Sequence, residues 1–145
     1  SVMTIHQISV FLENRPGQLA EITSALSASQ IDLRAINIAE VTDYGVLRLI
    51  ADQPERAASV LLEKGFILSM TPVVAVGVPD APGGLAAVVE VFAQHQVDVE
   101  YMYSAFGRSG DQAFMIFRVA DTDKVDHLLR AAGITPADPA AMGMR

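Results

Sequence analysis

The chain has 145 residues, of which 51% are hydrophobic and 19% are charged, so it carries ample apolar material for a packed core and little sign of disorder. Its formal charge of −7 argues against binding to a nucleic-acid backbone, which requires clustered lysine and arginine. Its lack of cysteine excludes disulfides, thiolate metal sites and a cysteine nucleophile. Apolar runs such as Val73 to Val78 are far shorter than the ~20 residues that span a bilayer, so a cytoplasmic protein with no membrane partner is expected.

The first half of the chain predicts the order strand, helix, strand, strand, helix, strand. Read from periodicity and turn residues, the elements are a strand at 5–12, a helix from about 16, strands at 31–41 and 46–51, a helix at 54–64 and a strand from 66. Pro16 is predicted in the first turn of the first helix, where a missing N–H is harmless. The apolar stripe of that helix is predicted at Leu19, Ile22, Ala25 and Leu26.

The second half repeats this pattern. Pro16-Gly17 and Pro82-Gly83 lie 66 residues apart, and the same offset places Leu85, Val88 and Phe92 on the matching helix, with Val89 also on its stripe. The remaining elements are strands at 97–105 and 113–120 and a helix at 122–132, with Asp121 as N-cap and glycine C-caps at Gly65 and Gly133.

Two features concern the edges of the repeat. A single extended stretch from 66 to 78 has to supply the last strand of the first copy and the first strand of the second. Pro136 and Pro139 weaken the final strand of the second copy, because proline cannot donate to a ladder. The sequence therefore predicts an α+β fold of two tandem ferredoxin-like β-α-β-β-α-β units with antiparallel sheets, packed side by side, with domains at 3–71 and 72–145.

The first copy contains a recognisable family motif. Its apolar strand, the segment ENRPGQL at 13–19, the amphipathic helix and Ile31-Asp32-Leu33 resemble the ACT domain, the small-molecule regulatory module of amino-acid metabolism. DAPGGL at 80–85 is a looser match at the same place in the second copy. The resemblance implies a non-catalytic regulatory protein that binds an amino acid where two such domains meet. It also implies signalling through a homodimer or a metabolic enzyme, without a cofactor or metal.

The resemblance also implies which residues bind the ligand. They lie in the strand-to-helix turn and early in the second strand of each copy: Asn14, Arg15, Pro16, Gly17, Leu19 and Asp32 in the first, and Asp80, Ala81, Pro82, Gly83, Leu85 and Asp98 in the second. Serine-sensing members have an asparagine at the second-strand position and a histidine two residues before the turn asparagine. Here those positions hold aspartate and, in the first copy, Leu12, so the resemblance does not point to serine.

The chemistry of the turns suits a zwitterion. The first turn of a helix presents unpaired N–H groups and the positive end of the dipole to a carboxylate, and glycine lets a ligand approach the backbone. Asp32 and Asp98 could then meet an α-ammonium group. The alternative is that both turns are merely tight connections and that both aspartates are solvent-facing members of alternating strands.

Catalytic signatures are missing from the sequence. His6, His95 and His127 have no metal-ligand spacing, and no nucleophile elbow, Walker loop or dinucleotide fingerprint occurs. Tyr101 and Tyr103 replace Ala35 and Asn37 on one alternating face, where aromatics are expected to serve as packing or, alternatively, to contact a bulky ligand. The remaining alternative function is a structural or regulatory interaction module that assembles through exposed sheet edges or helices and binds no small molecule.

Overall fold

The computed structural model describes residues 4–13, 15–41, 43–109 and 111–144. The chain divides into two compact units, which we call the first unit, mainly His6–Thr71, and the second unit, mainly Pro72–Met142. In chain order the elements are β1 (Ile5–Glu13), α1 (Gln18–Ala28), β2 (Leu33–Val41), β3 (Tyr44–Ala51), α2 (Pro54–Glu63), β4 (Leu68–Pro79), α3 (Gly84–Gln94), β5 (Tyr101–Ser109), β6 (Gln112–Arg118) and α4 (Thr122–Ala131). None of the described helices is long and apolar enough to cross a membrane.

The first unit is an antiparallel sheet with two helices on one face. β1 pairs with β3 and β3 with β2. On the other side of β1, the Phe11 N–H donates to the carbonyl of Ile67, the residue before β4, at 2.9 Å. The apolar stripes of both helices face the sheet and remove their side chains from water. The core comprises Ile8, Val10, Leu12, Ile22, Leu26, Ile31, Leu47, Leu49, Ala51, Ala57, Leu61 and Phe66.

The second unit repeats this architecture. β4 pairs with β6 and β6 with β5, both antiparallel, and α3 and α4 cover the sheet. Phe92 of α3 meets Phe117 of β6 edge to face, with ring centroids 5.1 Å apart and an interplanar angle of 86°, a favoured aromatic geometry. The core comprises Val74, Val76, Val78, Val88, Val91, Phe92, Phe117, Val119, Val125 and Leu129. The predicted α+β fold with ferredoxin-like repeats is confirmed.

One strand serves both repeats. β4 is a continuous strand of 12 residues, starting two residues later than predicted, and the boundary between the units falls inside it, after Thr71. The last strand of the second unit shrinks to a bridge between Val76 and Pro136, next to which the Ala137 N–H donates to the Ala75 carbonyl at 2.8 Å. Because proline has no N–H, the ladder stops there, as the sequence predicted.

The four described helices end in the same Schellman motif, but only two of them use glycine. The left-handed residue after the C-cap is Gly65 (φ 88°) in α2 and Gly133 (φ 81°) in α4, as predicted. In α1 and α3 it is Gln30 and Gln96, each with φ 56°. The motif closes through N–H bonds to the carbonyl five residues back: Ile31 to Leu26, Phe66 to Leu61, Val97 to Phe92 and Ile134 to Leu129.

Several local predictions need correction. Leu19 and Val89 are 40% and 41% exposed, so both lie off the buried faces of their helices. At ~100° per residue the buried face of α1 starts at Gln18, which is 7% exposed, and that of α3 consists of Val88, Val91 and Phe92. β2 begins at Leu33 and β5 at Tyr101, later than the predicted 31 and 97. The Asp121 N-cap is confirmed, since its Oδ1 accepts from the Lys124 N–H at 3.0 Å.

Candidate functional site

The turn between β1 and α1 is built around a left-handed glycine. Gly17 is the N-cap of α1, with φ 93° and ψ −13°, and no side chain caps the helix. These angles fit the third residue of a type II turn, with Pro16 at the second position. Pro16 therefore precedes the helix, so its predicted place in the first helical turn is wrong. A Cβ on Gly17 would meet nothing within 4 Å, so φ alone requires glycine there.

Gln18 fills the inside of this turn. It is buried, and its Oε1 accepts from the backbone N–H of Glu13 at 2.7 Å, tying the end of β1 to the first residue of α1. The sequence reasoning missed this residue, although it belongs to the quoted motif. The available signal was a polar residue at a position that the helical period places on the buried face.

The second turn has the same backbone conformation but lacks the glutamine side chain that lies inside the first. Gly83 is the N-cap of α3 with φ 88° and ψ −11°, again without a side-chain cap, and the Gly84 N–H donates to the Ala81 carbonyl at 3.1 Å. Pro79 and Gly84 stand where the first unit has Glu13 and Gln18, so both the donor and the side chain that accepts from it are missing. A Cβ on Gly84 would overlap the carbonyl oxygen of Pro79. Pro82, like Pro16, precedes its helix, so its predicted place is corrected too.

The side chains at the two turns differ in charge. Arg15 lies over the first turn, with Nε 3.4 Å from a Glu13 carboxylate oxygen and a terminal nitrogen 3.5 Å from Glu21. Such exposed pairs are weak and exchange readily, so the guanidinium stays accessible to another anion. The second turn has the neutral Ala81 at this position and Asp80 before it, whose N–H donates to the Asp111 carbonyl at 2.8 Å. Asn14, the remaining predicted contact, lies outside the described residues.

The two predicted leucines behave differently. Leu19 is exposed beside the first turn, whereas Leu85 is partly buried and packs against the core of the second unit. Among the predicted contacts, the exposed positions are therefore Arg15, Pro16, Gly17, Leu19 and Asp32 in the first unit and Asp80, Ala81, Pro82, Gly83 and Asp98 in the second.

The aspartates assigned to the second strands lie before those strands. Asp32 immediately precedes β2, where its N–H donates to Oδ1 of Asp52 at 3.0 Å and its carboxylate pairs with Arg34 at 2.8 Å. Asp98 lies three residues before β5 in an irregular segment. Reading them as members of an alternating strand is therefore wrong. Both side chains are nevertheless exposed.

Within each unit the turn and the aspartate are far apart. In the first unit the end of β1 pairs with Tyr44, whereas Leu33, next to Asp32, pairs with Ala51. Seven residues of β3 separate these two points, roughly 23 Å at the rise of a strand. In the second unit six residues of β6 separate the partners of Pro79 and Tyr101, roughly 20 Å. One amino acid cannot touch both groups of the same unit.

Aromatic side chains mark the sheet face away from the helices. Register places Tyr103 opposite Ile116 on this face, and its ring lies 6.5 Å from that of Tyr101, so the tyrosines pack outside the helix-covered core cluster. In the first unit, Phe11 and Tyr44 stack on the corresponding face with centroids 5.0 Å apart, and both are more than one third exposed. No group of three or more His, Cys, Asp or Glu that could bind a metal occurs among the described residues.

Comparison with known proteins identifies the family. The family model described as an ACT domain pair matches residues 3–134. The structure of protein BT0572 from Bacteroides thetaiotaomicron is 33% identical, with a TM-score of 0.89 over 97% of this chain and 96% of that one. The ligand-free regulatory subunit of aspartate kinase from Thermus thermophilus is 19% identical, with a TM-score of 0.64 over 90% and 92% of the two chains, and therefore shares the fold.

A third structure, of aspartokinase alpha and beta subunits, is 14% identical and has a TM-score of 0.55 over 91% of this chain and 99% of that one. No curated protein matches the sequence. The family match spans both repeats and includes the turns at Gly17 and Gly83. The chain therefore belongs to the family of ACT domain pairs.

Proposed function

We propose that this protein is a non-catalytic regulatory protein that binds an amino acid where ACT units meet. The observation that carries the proposal is the same uncapped, left-handed glycine turn at the start of α1 and α3. Gly17 and Gly83 have no side chain, so the N-cap residue supplies no side-chain acceptor to the first amide groups of either helix. These amides and the helix dipole favour a carboxylate at that place.

The first turn adds a cation to this arrangement. Among the described residues, the Arg15 guanidinium pairs with the exposed carboxylates of Glu13 and Glu21, which a ligand carboxylate can displace. The second turn offers Ala81 instead, so a carboxylate there depends on the backbone alone. We therefore expect the first turn to bind an amino acid more tightly than the second.

The ammonium group of the ligand requires a contribution from a different unit. Asp32 and Asp98 are exposed carboxylates of the right charge, but each lies roughly 20 Å or more from the turn of its own unit at the strand rise. A turn from one ACT unit and an aspartate from another, in the same chain or in a second copy, would supply both ends of the zwitterion. Such a ligand stabilises one arrangement of units over others, which is the differential affinity that regulation requires.

Similar proteins support a regulatory role. The Thermus thermophilus structure is named as the regulatory subunit of an enzyme, aspartate kinase, and matches most of both chains. By analogy, a metabolic enzyme or a second copy of this chain is the proposed receiver of the signal. The first turn offers backbone amides, Arg15 and carboxylates, and the second offers backbone amides and Asp80. These groups suit binding and need no chemical step.

The proposal is tested by thermal unfolding with each common amino acid at millimolar concentration. A ligand at 100 times its dissociation constant adds about 2.7 kcal/mol to the free energy of unfolding and raises the melting temperature visibly. Gly17→Val should weaken the response more than Gly83→Val. Gly45→Ala is the control, because a Cβ there makes only ordinary contacts of 3.5 Å or more. If no amino acid changes the melting temperature, the protein is an assembly module without a small ligand.

A further inference from the structure

A cavity of about 550 Å³ lies in the second unit, on the sheet face away from α3 and α4. Its floor is the end of the β4–β6 ladder, where Gly77 pairs with Phe114 and Pro79 with Gln112. Its far wall is the segment after α4, from Gly133 to Ala141. Every lining residue belongs to the second unit, and the volume lies within the ~300–1,000 Å³ typical of small-molecule sites.

The floor of this cavity has a glycine where the first unit has an aromatic ring. At the position equivalent to Gly77, the first unit has Phe11, whose ring stacks on Tyr44 at 5.0 Å and occupies the space above the sheet. In the second unit, Gln112 replaces that tyrosine in the ladder and bends over Gly77. A Cβ on Gly77 would lie 2.7 Å from the Gln112 Oε1 and 3.3 Å from the Phe114 ring. The two repeats thus differ by an aromatic stack in one and a glycine covered by the flexible Gln112 side chain in the other.

The far wall is held in place by hydrogen bonds. Pro136 forms the bridge to Val76, and the Ala137 N–H donates to the Ala75 carbonyl at 2.8 Å. Further along, Oδ1 of Asp138 accepts from the Ala141 N–H at 2.8 Å and closes a turn. The segment is therefore anchored at one end by the sheet and at the other by its own turn. A preformed wall of this kind lowers the entropic cost of binding a ligand.

The lining determines which chemistry fits. The edges of the largely buried Phe114 and Pro136 and part of Ile134 form the apolar lining, and Gln112 and Thr135 offer hydrogen-bonding groups. Asp138 has the one charged side chain among the lining residues that the structure describes. Residues 72–142 carry nine acidic and four basic side chains, so the field of the unit also favours a cation over an anion.

We propose that this cavity binds a small molecule with an aromatic ring and a cationic amine. The ring lies beside Phe114 and displaces the flexible Gln112 carboxamide from its place over Gly77, and the amine faces Asp138. This site is distinct from the glycine turns, whose predicted contacts do not line it. It therefore provides a second input to the same unit.

The test uses two probes with the same ring and opposite charge, tryptamine and indole-3-acetate. Titration of the full chain, followed by amide chemical shifts, should show tryptamine perturbing residues around Gly77 and 133–141 at millimolar concentration. Tryptamine should bind at least threefold more tightly than indole-3-acetate. Asp138→Asn keeps the oxygen that accepts from Ala141 and should remove this preference. Absence of tryptamine binding, or equal binding of the two probes by the natural sequence, overturns the proposal.

Two filling variants locate the probe. Gly77→Phe copies the first unit, and Ala141→Trp adds a large ring at an exposed lining position outside the strands. Each should weaken tryptamine binding at least tenfold, whereas Gly45→Ala in the first unit should leave it unchanged. Wild-type affinity in both filling variants refutes the placement. A retained melting response to an amino acid in Gly77→Phe separates this site from the glycine turns, since the two proposals fail independently.

Discussion

The contact between Gln18 and Glu13 gives the sharpest prediction about the first turn. Gln18 is 7% exposed, and its Oε1 accepts the Glu13 N–H at 2.7 Å. Gln18→Ala removes the acceptor and leaves that part-buried N–H without it. Losing the partner of a buried polar group costs about 1–3 kcal/mol, and because Glu13 itself is exposed we expect the lower end, about 1 kcal/mol, in the free energy of unfolding. Gln18→Met should behave similarly, since it keeps the length of the side chain without the carboxamide.

Urea denaturation measures the change, and amide hydrogen exchange locates it. Exchange at Glu13 should accelerate in both variants, while amides of the second unit keep their rates. Gln94→Ala is the matched control: it deletes the same side chain from an exposed position where Nε2 is 3.5 Å from Glu90, and it should change stability by less than about 0.5 kcal/mol. The reasoning fails if Gln18→Ala costs no more than Gln94→Ala, or if the Glu13 amide exchanges at its original rate.

Three further substitutions probe the backbone at the helix starts. Gly17→Ala should cost about 1–2 kcal/mol in urea denaturation because alanine is strained at φ 93°, whereas Gly45→Ala should not; equal effects would contradict the strain argument. Gly84→Ala should destabilise more than Gly17→Ala, since its Cβ overlaps the Pro79 carbonyl, and a smaller loss in the melting temperature would show that the turn shifts easily. Asp121→Ala removes the N-cap of α4 and should cost about 1 kcal/mol by the same denaturation assay, with Asp121→Asn retaining most of it.

Much of the candidate site was predictable because it is local. The Pro-Gly pairs marked the strand-to-helix turns, and turn chemistry depends on adjacent residues. Their detail was harder to predict. A proline at this place in the sequence is compatible with the first helical turn and with the second position of a type II turn. The left-handed conformation of the glycine that follows shows that it is the type II turn. Helical spacing places Gln18 on the buried face, but its role as acceptor toward Glu13 depends on how the end of β1 folds back against α1, which spacing does not reveal.

The aspartates show the limit of the period-two pattern. Asp32 and Asp98 sit between apolar residues and read as strand positions, yet Asp32 is held before β2 by a hydrogen bond with Asp52, 20 residues away. Helix ends show a related limit. Gln30 and Gln96 occupy left-handed positions that usually call for glycine, because the hydrogen bonds and apolar contact of the Schellman motif outweigh the strain.

The sequence by itself determined the repeat, the order of elements and the family, since these follow from periodicity, turn residues and a motif that occurs twice. It also indicated the weak final strand, because proline removes a ladder donor wherever it stands. Only the tertiary structure decided the rest. Strand pairing placed each turn roughly 20 Å or more from the aspartate of its own unit, at the rise of a strand. It also left a cavity beside Gly77, where the other repeat has the Phe11–Tyr44 stack, because cross-strand neighbours distant in sequence determine which space remains open.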